Sequence, residues 1–380
     1  MGVIYGGRSG EHEVSIASAA AVMANLDRAR YEPVPIRIDR DGRWSLADKP
    51  PTAASASEVI DQTRSELKAL RAGREVHLLA RPSEETILAI DRTHARGDDE
   101  ARAIVTGVGL DVIFPVLHGP HGEDGTVQGL LELANVPYVG CGVLASAVGM
   151  DKALMKRVFA AHGLPQVAYA VVLRRRVLAE PEVVAEGLMH TLGLPLFVKP
   201  ANLGSSVGIS KARTRDELIE ALKLSADYDR KVVVEAAVAN AREIEVAVLG
   251  NDEPLASVPG EIMPAREFYD YEAKYLDGAS RLAIPADVPA DMGARLQGLA
   301  IEAFLAIDGA GLSRVDFLID AESGEVLVNE INTMPGFTTI SMYSKLWAAS
   351  GTAYPELVDR LVQLALERHA EKQQLRVSAF

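Results

Sequence analysis

The sequence predicts an α/β protein of two or three domains that opens on a mainly parallel, doubly wound sheet. Three observations lead there. A chain of 380 residues is too long to close around one core. Its first part alternates short β-rich runs with helical periodicity, the pattern of β-α units that stack strands in parallel with helices on both faces. Its last part carries two β-rich runs joined by a polar, glycine-containing turn, which reads as an antiparallel hairpin.

The elements follow in order. VIY at 3–5 is the first strand, the turn GGRSG fills 6–10, and a helical run covers 14–26. Residues 34–38, 111–117 and 136–139 are further strands, with a helix over about 127–133 between the last two. The polar, Ala- and Arg-rich stretch around 40–105 has weak periodicity and reads as an elaboration of the first domain, without chemistry of its own. A helix over about 145–162 leads into a second unit of roughly ninety residues, within the usual domain range. It has strands at 194–199 and 231–235 and a glycine-bounded turn at 204–208. TRDE at 214–217 is a capping box that opens a short helix. The third unit begins near 244–249 and holds a long loop over 261–284, a core helix over 292–307, and the hairpin 312–320 and 326–332. The resulting domains are 1–148, 149–238 and 239–380.

Composition narrows the class. Hydrophobic residues make up 48% and charged residues 24%, as in ordinary globular proteins. A net charge of −14 argues against nucleic acid as the main partner. A polyanion could bind only through a local cluster of Lys, Arg, backbone N–H and metal. No apolar run is long enough to span a bilayer, so no membrane is expected. The N-terminus lacks the basic and apolar regions of a secretion signal. Because a strand starts at once, the natural start is expected a few residues upstream. One cysteine, Cys141, excludes an internal disulfide and suits a reducing cytoplasm.

The C-terminal hairpin is the most informative segment. Side chains alternate along a strand, so Arg314 and Asp316 share one face, as do Glu330 and Asn332. The opposite face carries Val315, Phe317, Ile319, Leu327 and Ile331. Converging Asp, Glu and Asn oxygens are hard ligands suited to Mg²⁺, and an adjacent Arg can neutralise a phosphoryl group or an oxyanion. For an isolated hairpin, a polar face that simply meets water is the more common case. Lys199 ends an apolar strand ahead of a Gly/Ser loop able to cradle phosphate, and Lys152 follows Asp151; either lysine alone is more often a solvated surface charge. A P-loop sequence is absent. The loop at 6–14 lies where doubly wound folds place ligands, and its Glu11 would attract an ammonium. HGPHGEDG at 118–125 offers His118, His121, Glu123 and Asp124 as a metal cluster, or Glu123 and Asp124 as first-turn residues of a helix. GCGVLA at 140–145 matches a dinucleotide turn but lacks the acidic residue that should close the next strand, so it reads as a close strand–helix approach.

In this order the motifs resemble the D-alanine–D-alanine ligase family of the ATP-grasp superfamily. The match is carried by GGRSGEHEVS (6–15), HGPHGEDGTVQG (118–129), YVGCGVLASAVGMDK (138–152) and VKPANLGSSVGISK (198–211). It continues through EFYDYEAKYLDG (267–278), SRVDF (313–317) and NEINTMPGFTTISM (329–342). The resemblance implies an ATP-grasp fold in three domains, the first Rossmann-like, with ATP gripped between the other two. It implies that Lys152, Lys199 and Lys274 contact phosphates, Glu235 the adenine edge and Glu243 the ribose. Asp316, Glu330 and Asn332 would bind two Mg²⁺ ions, with Mn²⁺ able to replace them. Ser205 and Ser206 belong to the loop that closes over the transferring phosphate. Glu11 would bind the ammonium of the first D-alanine, with His118 beside it. Ser341 and the Met342 backbone would take the carboxylate of the second, and Gly336 lies in the same oxyanion-binding loop.

The chemistry implied is activation of one D-alanine as an acyl phosphate, then attack by the amine of the second, with Arg314 stabilising the tetrahedral oxyanion. Tyr275, in YEAKYLDG, resembles the dipeptide-forming ligases rather than those that make D-alanyl-D-lactate, and it would join Ser205 and Glu11 in closing the lid. The resemblance further implies a cytoplasmic homodimer that supplies peptidoglycan precursors and so maintains cell shape. Other readings are a D-lactate or D-Ser ligase, an NAD-linked oxidoreductase built on 140–145, and a nucleotide-binding module that lost its chemistry.

Overall fold

The computed structural model describes residues 1–65, 73–91, 104–263 and 281–376. Three sheets organise them. The first contains β1 (Gly2–Gly6), β2 (Val34–Ile38), β3 (Trp44–Ala47), β4 (Gly73–Leu78), β5 (Ile87–Asp91), β6 (Ile104–Val108) and β7 (Ile113–Val116), in the order β6-β5-β4-β3-β2-β1-β7. β1 is buried throughout and lies parallel to both β2 and β7. A short apolar run covered on both faces is what a central parallel strand requires. The helix His12–Ala24 packs on one face.

Two expectations change here. The sheet is mixed rather than mainly parallel, because the region around 40–105 supplies β3 to β6 as an antiparallel extension. The expected strand at 136–139 shrinks to one parallel bridge between Ile113 and Tyr138. Pro137 has no N–H to donate, and Gly140 turns the chain away with φ +99°.

The helix expected over 145–162 is two helices, Val143–Met150 and Lys152–Ala161. Asp151 leaves the helical conformation between them and accepts 3.1 Å hydrogen bonds from the N–H groups of Ala153 and Leu154. This break starts the second helix at Lys152 and places Lys156 one turn later on the same face.

The second sheet, β8 (Tyr169–Leu173), β9 (Leu196–Pro200), β10 (Ser210–Ala212) and β11 (Lys231–Ala236), is antiparallel in the order β10-β9-β11-β8. Helices Pro181–Leu192 and Arg215–Tyr228 back it and form a core of their own with Leu196, Val198, Val232 and Val234. The capping box is present: Thr214 accepts from the Glu217 N–H at 3.2 Å, and Glu217 reaches back to the Arg213 N–H at 2.7 Å.

The third sheet is antiparallel and contains β12 (Arg242–Gly250), β13 (Leu255–Ala256), β14 (Gly260–Met263), β15 (Arg281–Ala283), β16 (Gly311–Ile319) and β17 (Val326–Asn332). The helix Ala290–Ala306 buries Leu296 and Phe304 against it. Helices Met342–Ala349 and Tyr354–Gln374 share one apolar cluster with β1, the helix His12–Ala24, Ala247, Leu249 and Leu312, so the first and third sheets are joined by common core.

Backbones also meet at that junction. Gly311, at φ +74°, brings its Cα to where a Cβ would lie 3.1 Å from the Gly140 nitrogen. Arg368 donates to the Gly140 carbonyl and, at 3.2 Å, to that of Tyr138. GCGVLA therefore serves a crossing between two layers. Gly311→Ala should lower stability by about 1–3 kcal/mol through strain at positive φ. Gly298→Ala, inside the helix Ala290–Ala306 with open space beside it, should raise stability by about 0.5–1 kcal/mol. Thermal unfolding of the two variants against the parent checks both signs.

Candidate active site

The second and third sheets face each other across a cleft. Alternation on β9 and β11 points Phe197, Lys199, Val233 and Glu235 to one side, where the helix Lys152–Ala161 packs. Glu235 is only 3% exposed and sits between two lysines. Lys199 Nζ lies 2.6 Å from its Oε2, and the wholly buried Lys156 places Nζ 2.9 Å from Oε1. The Lys156 contact is an ion pair without an aligned hydrogen bond. Burial alone would push the Glu235 carboxyl up, but the charges of Lys199 and Lys156 outweigh it and hold it down at about 2. Burial opposes charge on Lys199 too, yet Glu235 and Glu330 leave its pKa raised. On Lys156 burial prevails and the pKa falls.

Lys152 Nζ donates to the Leu203 carbonyl at 2.8 Å and lies 3.4 Å from Glu330 Oε2, tying the Gly/Ser loop to the third sheet. Ser205 and Ser206 both adopt left-handed backbone, with φ of 50° and 59°. Non-glycine residues held there cost about 1–3 kcal/mol each, and successive conformations of this kind turn N–H groups toward an anion. Lys199, Ser206, Glu235, Glu243, Asp316 and Glu330 line one cavity of about 150 Å³.

The hairpin of β16 and β17 supplies the opposite wall. Arg314 pairs with Asn332 and Asp316 with Glu330, so these four polar side chains meet on one face. Beyond Glu330 the register slips and Phe317 pairs with Val328, leaving Asn329 as the extra residue of a β-bulge. The bulge corrects one expectation: Val326 and Val328 enter the core with Phe317 and Ile331, whereas Leu327 leaves that face. It also brings Asn329 to the cleft, where its Oδ1 accepts from Lys199 Nζ at 3.3 Å. Arg314 grips Asp316 through two 2.6 Å hydrogen bonds and lies 3.1 Å from Glu245. Asn332 donates to Asp316 at 3.0 Å.

A second cavity, of about 130 Å³, adjoins this wall and is lined by Glu245, Arg314, Gly336, Ser341 and Met342. Glu245 borders both cavities. Ser341 accepts from the Thr338 N–H at 3.0 Å and precedes the helix Met342–Ala349, whose first N–H groups have no partner within the helix.

Glu11 lies at the start of the helix His12–Ala24, nearly buried, and accepts a hydrogen bond from Ser205. The Gly/Ser loop therefore already touches the first layer. His118 is buried beside Glu11. Its Nδ1 is 3.0 Å from the Met334 carbonyl and its Nε2 3.1 Å from Ser18 Oγ. A carbonyl can only accept, which assigns the proton to Nδ1 and leaves Nε2 to accept from Ser18. Ser18 in turn accepts from the Phe337 N–H at 3.1 Å. Burial lowers the pKa of His118 and keeps it neutral. Lys274 and Tyr275 lie outside the described residues.

The residues 118–125 do not converge on one ligand. His121 is exposed, and Asp124 accepts from the N–H groups of His121 and Thr126. Glu123 is not in the first turn of the helix Thr126–Ala134; it accepts from the Gly119 N–H at 2.7 Å and stands near Glu11. Among the described residues no three His, Cys, Asp or Glu side chains form a metal-binding group. Sequence reasoning missed Lys156, Glu245 and Asn329, and it did not foresee Glu123 beside Glu11. Lys156 could have been found four residues after Lys152 on a helix, and Glu245 two residues after Glu243 on a strand.

Two family models account for most of the chain: the D-ala D-ala ligase N-terminus matches residues 1–141 and the D-ala D-ala ligase C-terminus residues 158–363. The chain belongs to the D-alanine–D-alanine ligase family. It has the ATP-grasp fold of that family. A D-alanine--D-alanine ligase of Heliobacterium modesticaldum is 55% identical over 98% of this chain and 96% of its own length. The solved D-alanine-D-alanine ligase of Coxiella burnetii is 37% identical, with a TM-score of 0.79 over 98% of this chain and 95% of that one. The VanG D-Ala:D-Ser ligase of Enterococcus faecalis is 33% identical, with a TM-score of 0.80 over 96% of this chain and 98% of that one. The two cavities that share Glu245 thus lie in the chain of an ATP-dependent ligase.

Burial, then the negative charge of Glu11, raises the Glu123 carboxyl from 4.5 to about 8. A raised folded-state pKa means that folding favours the protonated acid. Its contribution is full below pH 4.5 and is lost as pH rises through 8. The stability of Glu123→Gln relative to the parent should therefore climb between pH 5 and pH 9. Melting temperatures at the two pH values give the sign, and a flat difference would refute the assignment.

Proposed function

We propose that the chain joins two D-alanines to D-alanyl-D-alanine at the expense of ATP, through a D-alanyl phosphate and with release of ADP and phosphate, for peptidoglycan precursors. The observation that carries this reading is the shared wall of the two cavities. Glu245 and the Arg314–Asp316 pair stand between a lysine-lined nucleotide cleft and a small pocket built on Gly336, Ser341 and Met342.

Condensing two amino acids in water is uphill, so one carboxylate must first accept a phosphoryl group. Glu11 would take the ammonium of that D-alanine, and Lys152 and Lys199 the phosphates. Lys274 is assigned to the phosphates by family pattern. Glu235 would receive the adenine edge and Glu243 the ribose. Asp316, Glu330 and Asn332 present oxygen donors on one strand face, a set that fits Mg²⁺ or Mn²⁺, and two such ions would spread the charge of the phosphates.

The amine of the second D-alanine then attacks the acyl carbon. Its carboxylate is held by Ser341 and the Met342 N–H, at the positive end of a helix. Arg314 must leave Asp316 before its guanidinium can face the tetrahedral oxyanion, and Glu245 keeps it at the pocket wall meanwhile. An acyl phosphate hydrolyses in open water, so the loop at 202–208 must stay closed; its Ser205–Glu11 contact, joined by Tyr275 in the family pattern, does this. We also propose a cytoplasmic homodimer, which sedimentation of the purified chain tests.

Phosphate release with ATP and D-alanine alone is the expected result. Release driven only by added D-lactate or D-serine would sink the dipeptide reading. Asp316→Ala and Glu330→Ala should each reduce turnover by roughly a hundredfold or more while the fold stays intact by circular dichroism. Near-parental turnover at saturating Mg²⁺ would remove these residues from the metal site.

A further inference from the structure

Lys156 has no place in the reaction as derived, yet it is wholly buried, and a buried ammonium needs a reason. Its amine faces Glu235 at 2.9 Å and lies 5.4 Å from the centre of the Tyr169 ring. Its backbone carbonyl accepts from Gln166 at 3.0 Å. Every contact holds it in the floor beneath β11. Lys199 differs. It borders the cleft, and besides Glu235 it bonds Asn329 across the cleft at 3.3 Å. When Lys199 turns to a phosphate, Glu235 loses one of its two cations.

A carboxylate 3% exposed and stripped of counter-charge would take up a proton. Protonation changes what it can recognise. An ionised carboxylate only accepts hydrogen bonds and so suits the exocyclic amine of adenine. A protonated one also donates and would tolerate the 6-oxo group of hypoxanthine. We propose that Lys156 is a positioning residue, the fixed counter-charge that remains on Glu235 when Lys199 is drawn to the phosphates, so that Glu235 presents only acceptor oxygens and selects a 6-amino purine over a 6-oxo purine. The inference rests on the reading that Glu235 meets the base edge. Lys152 and Lys156, one turn apart on a single helix, then divide the nucleotide between them: one serves the phosphates, the other serves the base through Glu235.

The test is steady-state kinetics of the full chain with ATP and with inosine triphosphate. Lys156→Met should lower the ATP-to-ITP ratio of kcat/KM by about tenfold, within the range expected for one hydrogen-bonding edge. It should raise the KM for ATP and leave the KM for D-alanine unchanged. Lys156→Arg, which keeps the charge, should restore the ratio. Lys156→Gln supplies the same readout should the Met variant not fold. Glu235→Gln separates the two layers of the argument. If it collapses the ratio while neutral Lys156 variants keep it, Glu235 reads the base without help and the proposal fails. If Glu235→Gln also leaves the ratio intact, the base-edge reading fails and takes the proposal with it. A uniform loss of kcat with both nucleotides and no change in the ratio assigns Lys156 a purely structural role.

Discussion

Removing a charge from water is the constraint on which this site is built. Glu235 is buried, and it stays ionised only because two lysines from different elements reach it. The same rule shapes the opposite wall, where Asp316, Glu245 and Arg314 neutralise one another at 2.6 and 3.1 Å. The second sheet and the helix Lys152–Ala161 bring ammonium groups to the cleft, and the third sheet brings most of its carboxylates. A nucleotide carrying phosphates and cations is the natural insert between such walls, since it offers each a partner of opposite sign. The low dielectric that makes unpaired charge costly also strengthens each contact formed with the nucleotide.

The amino-acid end of the site depends on hydrogen bonds that cross the molecule. Ser18 on the first helix accepts from Phe337 and meets His118, whose other nitrogen reaches Met334. Thr333 donates to the Glu123 carbonyl at 3.4 Å. Residues more than two hundred positions apart are therefore locked in one network around Glu11. Both nitrogens of His118 are engaged in it, which makes the ring a brace for the pocket wall.

Much of this was legible in the sequence, for definite reasons. Alternation along a strand places Arg314 with Asp316 and Glu330 with Asn332, and the register confirms that the two pairs meet. The bulge at Asn329 was not legible, because an extra residue leaves no mark on composition and reverses the parity of everything before it. Leu327 was misplaced for that reason. The four-strand extension from the region around 40–105 was missed because its strands are short and lack a strong apolar period, and its edge strand β6 is exposed over Ile104, Val105, Thr106 and Gly107. Glu123 looked like a helix-start carboxylate because its neighbours are Glu11 and the Gly119 N–H, a meeting that local sequence does not reveal.

The crossing of Gly140 and Gly311 has a mechanical consequence. Backbone laid on backbone, with Arg368 of the last helix holding the Gly140 and Tyr138 carbonyls and one apolar cluster running through, leaves the first and third sheets no room to slide. The second sheet has its own core and meets that body through a small apolar contact of Ala201 and Val233 on Ala153 and through polar contacts such as Ser205 with Glu11 and Lys199 with Asn329. The molecule is thus a vice with one fixed jaw and one hinged jaw. Opening it would break mainly hydrogen bonds that water can replace and one small apolar contact, while the seam that keeps the fixed jaw true is a continuous apolar core. A jaw that swung open would carry about seventy residues, β8 to β11, against everything else.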